Sequence, residues 1–277
     1  MKVEESSPAS ALSVSIVVYH SDLERLRQTL ASLAAACTGL GGVRVCVVDN
    51  ASGRDYAEQL AGLLDALEVG EALQVALITA PRNLGYGGGH NRALAGGVGA
   101  YHLVLNPDVE IAQDALRVGI DYLAAHPQTA LLSPRAEGAD GQREFLCKRY
   151  PSLLVLALRA FAPGLGERLF PARMADYEMR ELEHAAAPAP VVLASGCFML
   201  ARGSQLLRTG GFDERFFMYF EDFDLSLRMA QLGAVVFHPG MRIVHHGGYA
   251  ARKGFSHLRM FGTSALRFFA SHGWRWI

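Results

Sequence analysis

Hydrophobic runs that predict strands alternate with helical spacing over the first part of the chain. The strand-like runs, rich in β-branched residues, occupy residues 12–19, 43–48, 73–79 and 101–105. The helix-like segments occupy residues 23–33, 56–67 and a stretch that begins near residue 90. This alternation predicts an α/β fold in which a single doubly wound, mixed but mostly parallel sheet is flanked by helices.

Polar residues follow the ends of these predicted strands. They are Tyr19, Asp49, the segment 82–91 and Asp108. Ligands on open parallel sheets bind beyond the carboxyl ends of the strands. The sequence therefore predicts one shared crevice at that edge of the sheet.

The second half of the chain is less regular. Strand-like runs occupy residues 129–133, 191–200 and 234–237. Helical spacing covers residues 222–231 and 255–270. The long connection over residues 162–190 contains several Pro and Gly residues and is expected to be a mobile flap.

Composition narrows the class of protein. Of the 277 residues 51% are hydrophobic, which excludes a disordered chain, and a net charge of −1 argues against a nucleic-acid binder. The cysteines lie far apart without a C-x-x-C pair, so we expect reduced residues of a cytoplasmic protein. The N-terminus is acidic and polar, unlike a secretory signal, and we expect no membrane span.

Charge is distributed unevenly along the chain. From Arg242 onward there are six basic residues, no acidic residue, and both tryptophans, Trp274 and Trp276. Such a mixture favours peripheral contact with an anionic membrane. Alternatively, the apolar stripe of the last helix packs on the domain or on a second subunit of a homo-oligomer. That stripe consists of Leu258, Phe261, Ala265 and Phe268.

The segment 83–91 (NLGYGGGHN) joins a predicted strand to a predicted helix. Its glycines let the backbone approach a ligand closely, and the N-terminus of the following helix favours a phosphate. It is not a P-loop, because no Gly-Lys-Ser/Thr follows, and its glycine spacing does not fit a dinucleotide fingerprint. We predict a ligand-binding loop, with a flexible turn as the alternative.

Several carboxylates occupy positions suited to binding a cation or to acting as a general base. Asp49 and Asp108 each close an apolar strand, where a carboxylate either caps the next helix or binds a divalent cation. Glu221, Asp222 and Asp224 open a helix behind the aromatic cluster FFMYF. The helix dipole stabilises acids there, but aromatic walls also raise a carboxyl pKa towards that of a general base.

The pair His245–His246 follows a strand-like run. Histidine nitrogen is a common metal ligand, although a single histidine is more often structural. Adjacent residues on an extended segment point in opposite directions, so at most one of the two is expected to bind a metal.

In combination, the motifs resemble one family. Over residues 12–250 the chain contains, in this order, VSIVVYH, VVDNASG, RNLGYGGGHNRAL, LNPDV, SGCFML, GGFDERFFMYFEDFDLSLR and VHHGG. The chain is similar to the inverting nucleotide-sugar glycosyltransferases of the GT-A fold, family 2 type. Within them it resembles the bacterial rhamnosyltransferase-like branch.

The resemblance implies a role for each matched position. The nucleotide-sugar would be bound by Val17, Tyr19, Asp49, Arg82, Asn83, Gly85, Asn91, Asn106 and Asp108. Asp108 ends the family's Asp-x-Asp motif, whose first position is Asn106 here, and would bind Mg²⁺ or Mn²⁺ together with His245. Asp222 would be the catalytic base. The acceptor side would include Gly196, Glu221 and Asp224.

We accordingly divide the chain into a flexible N-terminus, a GT-A domain and a basic aromatic tail. The N-terminus covers residues 1–10 and the tail, with the C-terminal amphipathic helix, residues 251–277. The GT-A domain, residues 11–250, has a nucleotide-binding half over 11–130 and an acceptor-binding half over 131–250. Within the second half, the connection 162–190 could face the acceptor.

The resemblance implies transfer of a sugar, with dTDP-L-rhamnose as the favoured donor, to a hydroxyl of a surface glycan or a polyprenyl-diphosphate-linked acceptor. The reaction would take place in the cytoplasm, at the inner face of the membrane if the tail binds there. The alternatives are a UDP-hexose donor, a nucleotidyltransferase, or a non-catalytic nucleotide-sugar-binding module. A nucleotidyltransferase normally has a basic glycine-rich loop after its first strand, where this chain has Tyr19-His20-Ser21-Asp22.

Overall fold

The computed structural model of the chain describes residues 12–67, 73–247 and 255–277. Three features of the sequence analysis lie outside the described residues. They are the flexible N-terminus predicted for residues 1–10, the domain boundary expected at residue 250, and the basic pair Arg252 and Lys253.

Strands and helices alternate through the first half of the described chain, as predicted. The strands are β1 (Leu12–Val18), β2 (Val43–Asp49), β3 (Leu73–Thr79), β4 (Tyr101–Leu105), β5 (Val109–Ile111), β6 (Thr129–Gly138), β7 (Arg143–Glu144), β8 (Cys147–Lys148), β9 (Ala189–Pro190), β10 (Leu193–Ala194), β11 (Phe198–Arg202) and β12 (Ala234–His245). The helices are α1 (Leu23–Ala36), α2 (Arg54–Asp65), α3 (Gly85–Leu94), α4 (Ala115–Ala125), α5 (Leu153–Phe161), α6 (Pro163–Leu169), α7 (Pro171–Tyr177), α8 (Gly203–Arg208), α9 (Glu221–Ala230) and α10 (Phe255–His272), with a 3₁₀ helix at Arg180–His184.

Ten of the described strands form one mixed sheet whose first half is parallel, and β8 and β10 form a separate two-stranded sheet. The order of the mixed sheet is β3-β2-β1-β4-β11-β6-β12-β5, with β7 added to β6 and β9 added to β12. The neighbours β3, β2, β1 and β4 pair in parallel, whereas β11 is antiparallel to β4 and β6. The carboxyl ends of the first strands therefore lie along one edge, where the sequence predicts the shared crevice.

Helices cover both faces of the sheet, as in a doubly wound fold. Alternate residues of β1, among them Val14 and Ile16, pack with α1, α2 and α4 on one face. The opposite face packs against α3, α8 and α9, where Val17 contacts Ala93 of α3. Strand β1 is buried at every position because both of its faces are covered.

The region predicted to be a mobile flap is helical, so that prediction is wrong. Residues 163–184 form α6, α7 and the 3₁₀ helix, and Met174 and Tyr177 of α7 are buried. They belong to a separate aromatic core with Phe216, Phe220 and Phe268. The predicted strand at 191–200 is also divided, into β10 and β11, because a turn interrupts it.

The C-terminal helix α10 packs on the domain, which was one of the two alternatives for its apolar stripe. Ala265 and Phe268 of the stripe are buried, Phe261 is half-buried, and Leu258 is 39% exposed. The hydroxyl of Tyr150 donates to the carbonyl of Gly273 at 2.5 Å, which fixes the end of the helix. Across the described part of the chain, none of the helices has the length and apolar character needed to cross a membrane.

Candidate active site

The end of β2 holds a buried carboxylate in the predicted crevice. Asp49 has no exposed surface, and its Oδ1 accepts a hydrogen bond from the N–H of Ser52 at 3.0 Å. Its Oδ2 is buried without a hydrogen-bond partner among the described residues. Such an oxygen costs free energy unless a ligand satisfies it, as a nucleobase N–H would. Val17 is buried on the neighbouring strand, whereas Tyr19 is 50% exposed.

Asn50, which the sequence analysis did not assign to the site, connects this edge to the start of α3. Its Nδ2 donates to Oδ1 of Asn83 at 3.0 Å and to the carbonyl of Gly85 at 2.9 Å. Its Oδ1 accepts from the N–H of Leu84 at 2.9 Å. Asn83 in turn accepts from the N–H of Gly85. Asn83 therefore shapes the chain entering α3 and lies beside the strand ends, while Arg82 is exposed.

The glycine-rich segment is not a loop, contrary to the sequence prediction. Helix α3 begins at Gly85 rather than near residue 90, so Gly87 and Gly89 lie inside it. A Cβ on Gly87 would lie 2.7 Å from Cβ of Phe212, and one on Gly89 would lie 2.7 Å from Cγ1 of Val17. The glycines let α3 approach its neighbours closely, so the positive end of its dipole lies beside the strand ends.

The side-chain amide of Asn91, a residue expected to border the nucleotide, makes its hydrogen bonds within the protein. Its Nδ2 donates to the carbonyl of Phe212 at 2.8 Å and to Oε1 of Glu214 at 3.0 Å. Its Oδ1 accepts from the N–H of Phe212 at 2.9 Å. The amide is thus engaged in holding the segment that leads to α9.

A histidine and an aspartate meet at the metal position that the resemblance implies. Oδ1 of Asp108 lies 3.5 Å from Nε2 of His245 and is otherwise buried without a hydrogen-bond partner among the described residues. Nδ1 of His245 lies 2.8 Å from Oε2 of Glu144. Burial alone would lower the pKa of His245, but hydrogen bonds with Asp108, Cys197 and Glu144 raise it to about 12. The imidazole of His245 therefore lies between two carboxyl groups, those of Asp108 and Glu144.

The residues present fit a divalent cation that is also bound by a diphosphate. Asp108 offers an unsatisfied oxygen, and Glu144 orients the imidazole so that Nε2 faces it, as outer carboxylates do in metal sites. Gly247 leaves the space open, since a Cβ there would lie 2.6 Å from Nε2 of His245 and 2.7 Å from Oδ2 of Asp108. Within the described ranges, no group of three or more His, Cys, Asp or Glu side chains forms a complete metal site. The remaining ligands would have to come from the substrate and water.

The second histidine points elsewhere, as expected for adjacent residues of a strand. Nε2 of His246 lies 2.6 Å from Oε1 of Glu110, away from the pair formed by Asp108 and His245. Its N–H donates to the carbonyl of Asp108 at 2.8 Å, which holds that residue in place.

The carboxylate assigned as catalytic base is held at the start of α9. Oδ2 of Asp222 accepts from the N–H of Gly196 at 2.9 Å, and Oδ1 accepts from the N–H of Phe223 at 2.9 Å. The hydroxyl of Tyr86 lies 2.6 Å from the carbonyl oxygen of Gly196 and 3.1 Å from Oδ1 of Asn106. Tyr86 therefore connects Asn106, in the LNPDV motif, to the peptide of Gly196, whose N–H holds Asp222.

Cys197, the residue after Gly196, belongs to the same network of contacts. The N–H of Asn106 donates to the carbonyl of Cys197 at 3.0 Å, and the Cys197 thiol neighbours His245. The segment Gly196–Cys197 thus connects the pair Asp108 and His245 to Asp222.

Glu221 is buried beside Asp222 without an ion-pair partner among the described residues. Its side chain is 6% exposed, and Oε2 has no hydrogen-bond partner in that part of the chain. Burial and the neighbouring Asp222 charge raise the pKa of Glu221 well above its ordinary value. Burial also raises the pKa of Asp222. Because burial disfavours two neighbouring charges, the ionisation of either carboxyl group makes ionisation of the other less favourable.

Asp224 is engaged within the protein rather than open to an acceptor, which corrects its assignment to the acceptor side. Its Oδ2 accepts from Nη2 of Arg228 at 2.6 Å, and its Oδ1 lies 2.8 Å from Nε2 of His272. Through its contact with His272 on α10, Asp224 fastens α9 to the C-terminal helix.

The residues that sequence reasoning missed are Asn50, Tyr86, Glu144 and Cys197. Asn50 and Tyr86 lie inside the quoted motifs, so their positions carried a signal. Glu144 belongs to the two-residue strand β7 and reaches His245 only through the pairing of β7 with β6, which no local pattern reveals.

Comparison with known proteins agrees with this geometry. The family model described as "Glycosyl transferase family 2" matches residues 13–186. The chain is 31% identical to N-acetylglucosaminyl-diphospho-decaprenol L-rhamnosyltransferase of Mycobacterium tuberculosis, over 94% of this chain and 85% of that protein. It is 28% identical to rhamnosyltransferase WbbL of Escherichia coli strain K12, over 62% of this chain and 65% of that protein.

Among solved structures, the mannosyltransferase PcManGT from Pyrobaculum calidifontis, in complex with GDP-Man and Mn²⁺, superposes with a TM-score of 0.60 at 16% identity. The match covers 96% of this chain and 67% of that one, and it shows the GT-A fold. The family model spans more than half of the residues, and a relative above 30% identity spans nearly all of them. The chain is therefore a glycosyltransferase that belongs to glycosyl transferase family 2.

Proposed function

We propose that the enzyme transfers L-rhamnose, with inversion, from dTDP-L-rhamnose to a hydroxyl of a sugar carried on a polyprenyl diphosphate. The observation that supports this most directly is the segment Gly196–Cys197, which joins Asp222 to the pair Asp108 and His245. A candidate base and a candidate cation site thus share one structural unit at the edge where nucleotides bind in this fold.

The choice of sugar and acceptor draws on the relatives. The mycobacterial relative is named for rhamnose transfer to N-acetylglucosaminyl-diphospho-decaprenol, and the Escherichia coli relative is named a rhamnosyltransferase. We therefore propose N-acetylglucosaminyl-diphospho-polyprenol as the acceptor class. A UDP-hexose donor is the alternative for the same site.

On the donor side, we assign the nucleobase to Asp49 and Val17 and the diphosphate to the N-terminus of α3. The unsatisfied Oδ2 of Asp49 would accept from the base, and the positive end of the α3 dipole would lie toward the phosphates. Asp108 and His245 would hold Mg²⁺ or Mn²⁺, which when bound neutralises the charge that develops on the leaving diphosphate.

On the acceptor side, Asp222 would remove the proton of the attacking hydroxyl. The new bond forms between that oxygen and the anomeric carbon while the bond from carbon to the diphosphate oxygen breaks on the opposite face. Gly196 and Phe223 hold the carboxylate of Asp222 through their N–H groups, so its free lone pairs face the substrate in one orientation. Glu221, neutral beside it, would donate to the acceptor.

We further propose that the enzyme works in the cytoplasm against the membrane that carries its acceptor. Trp274 and Trp276 are 48% and 69% exposed and stack on one another with ring centroids 6.0 Å apart. Phe161 is 70% exposed and Leu169 56% exposed on α5 and α6. Exposed aromatic and leucine side chains favour the membrane interface.

The test is a transfer assay with purified protein, N-acetylglucosaminyl-diphospho-polyprenol and a panel of nucleotide sugars, with and without Mn²⁺. We expect a rhamnosylated lipid from dTDP-L-rhamnose, detected by mass spectrometry, and loss of product with EDTA. Transfer from a UDP-hexose instead would replace the donor assignment and leave the transferase reaction intact. Donor binding with neither transfer nor hydrolysis would indicate a non-catalytic module.

A further inference from the structure

Helix α10 and the aromatic segment before α9 enclose a cavity that the donor and base sites do not use. Its volume is about 450 Å³. The side chains on its walls include Arg215, Phe217, Arg259, Met260, Ser264 and Arg267.

The cavity is positively charged. Arg259 and Arg267 lie on α10, and within the described residues neither forms an ion pair with an acidic side chain. Arg215 pairs with Asp213 at 2.6 Å, but the residues that line the cavity include no carboxylate. The guanidinium of Arg267 lies 5.9 Å from the ring centroid of Phe216, which orients it. Arginines with no carboxylate beside them favour an anion with several oxygens.

The cavity also has an apolar wall. Phe217 is 41% exposed although the aromatic residue before it, Phe216, is fully buried. Met260, one turn from Ser264 on α10, lines the same space. Cations next to exposed apolar side chains suit a ligand that carries both a charged group and a hydrocarbon chain.

The position of the cavity relates it to the base. The carbonyl of Phe217 accepts from the N–H of Tyr86 at 3.0 Å, and Tyr86 reaches Gly196, whose N–H holds Asp222. Along the chain, Phe217 is five residues before Asp222, a distance of at most ~17 Å. Phe217, on the wall of the cavity, therefore lies within the span of a sugar and its linked phosphates from Asp222.

We propose that this cavity binds the diphosphate and the first isoprene units of the lipid-linked acceptor, with Arg259 and Arg267 on the diphosphate and Phe217 and Met260 on the chain. The inference rests on the proposed acceptor class, but it does not depend on which sugar the enzyme transfers. The acceptor sugar would then point toward Asp222 while its lipid leaves along α10.

The first test measures binding without any transfer. Farnesyl diphosphate is titrated into the full chain and into Arg259→Gln/Arg267→Gln by calorimetry. We expect binding to weaken roughly tenfold or more, because two charge-assisted contacts are removed. The matched control is Arg117→Gln, an exposed arginine on α4, which packs against α1, β6 and β12. The single variant Arg259→Gln, at an exposed position, serves if the double variant is unstable.

The second test separates acceptor recognition from catalysis. With N-acetylglucosaminyl-diphospho-polyprenol we expect the acceptor KM of the double variant to rise by a similar factor, with the donor KM unchanged. With an N-acetylglucosamine alkyl glycoside, which lacks the diphosphate, the two proteins should work equally well.

Several outcomes would overturn the subsite. They are equal losses on both acceptors, unchanged farnesyl diphosphate binding, or weakened binding to anionic vesicles with no change toward the diphosphate. The last result would indicate a membrane contact instead. If the wild-type chain binds farnesyl diphosphate but transfers no rhamnose, the proposed function fails while the subsite stands.

Discussion

The backbone N–H of Gly196 donates to Oδ2 of Asp222 at 2.9 Å, so the position of the base is set by a peptide between two strands rather than by another side chain. Because the following residue, Cys197, neighbours His245, a shift of this peptide would move the proposed base and the proposed metal ligands together. A Cβ on Gly196 would lie 2.9 Å from Cε1 of Tyr86, so glycine is required for the peptide to fit there.

Replacing Asp222 with Asn is expected to lower kcat by ~10²–10⁴-fold, since an amide cannot accept the acceptor proton. The amide oxygen can still accept a hydrogen bond from the N–H of Gly196 or Phe223. The local structure should therefore persist, and the donor affinity should change little. Steady-state kinetics and donor titration check the two quantities separately. Asp121→Asn, at an exposed position on α4, is the control. An equal loss of donor binding would remove Asp222 from the role of base.

Replacing Glu144 with Gln is expected to weaken Mn²⁺ activation by ~10–100-fold, because the imidazole of His245 loses the carboxylate that orients it. His245→Ala should weaken it at least as much. The measurement is the Mn²⁺ concentration that gives half-maximal rate. His184→Ala, an exposed histidine, should match the wild-type chain. If Mn²⁺ activation were unchanged in both site variants, the assigned pair would not hold the metal.

The pH dependence of the free energy of unfolding should report the raised pKa of the buried Glu221. Its pKa is raised in the folded chain, so the folded state binds more protons than the unfolded state above the ordinary carboxyl value. Stability is therefore fully present below that value and falls as the pH rises toward the raised pKa. Glu221→Gln removes this loss, so its stability relative to the wild-type chain should increase between pH ~5 and ~8.

Urea unfolding at the two pH values measures this difference. Glu137→Gln, an exposed glutamate on β6, should show no such trend. A constant difference between Glu221→Gln and the wild-type chain at both pH values would mean that Glu221 titrates normally.

Substitutions at Gly85 and Gly141 separate the cost of backbone strain from the cost of a steric clash. Gly85 and Gly141 both have positive φ, +76° and +74°, but a Cβ on Gly85 would overlap the carbonyl oxygen of Phe217, whereas Gly141 has no atom within 4 Å of that position. Gly141→Ala should cost only the ~1–2 kcal/mol of a left-handed residue. Gly85→Ala should cost more and also raise the donor KM, because α3 must move away. Similar losses of stability at both sites, with the donor KM intact, would contradict this.

Local patterns predict the strands and the edge at which ligands bind, because alternation and burial fix a parallel sheet. They fail at α3, because the glycine-rich segment 83–91 predicts a loop where the structure has a helix. Intrinsic propensity does disfavour glycine in helices, but contacts with Phe212 and Val17 leave no room for a Cβ at Gly87 and Gly89. Tertiary packing overrides propensity there.

The candidate site likewise combines residues that local motifs identify with contacts that arise only from the tertiary fold. Asp108, His245 and Asp222 were assigned from their motifs, and the geometry brings them onto one connected unit, although their roles stay predictions. Asp224 could not be separated from Glu221 by sequence, since both open the same helix. The difference arises from His272 on a helix far along the chain.

The hydrogen bond between Asp224 and His272 also ties two distant parts of the chain together. The two residues are separated by 48 positions, and α10, which carries His272, is the last helix of the described chain. The helix that carries Asp222 acquires this second anchor only after α10 has been synthesised and has packed. A nascent chain that has not yet reached α10 therefore lacks one of the contacts that hold the helix of Asp222 in place.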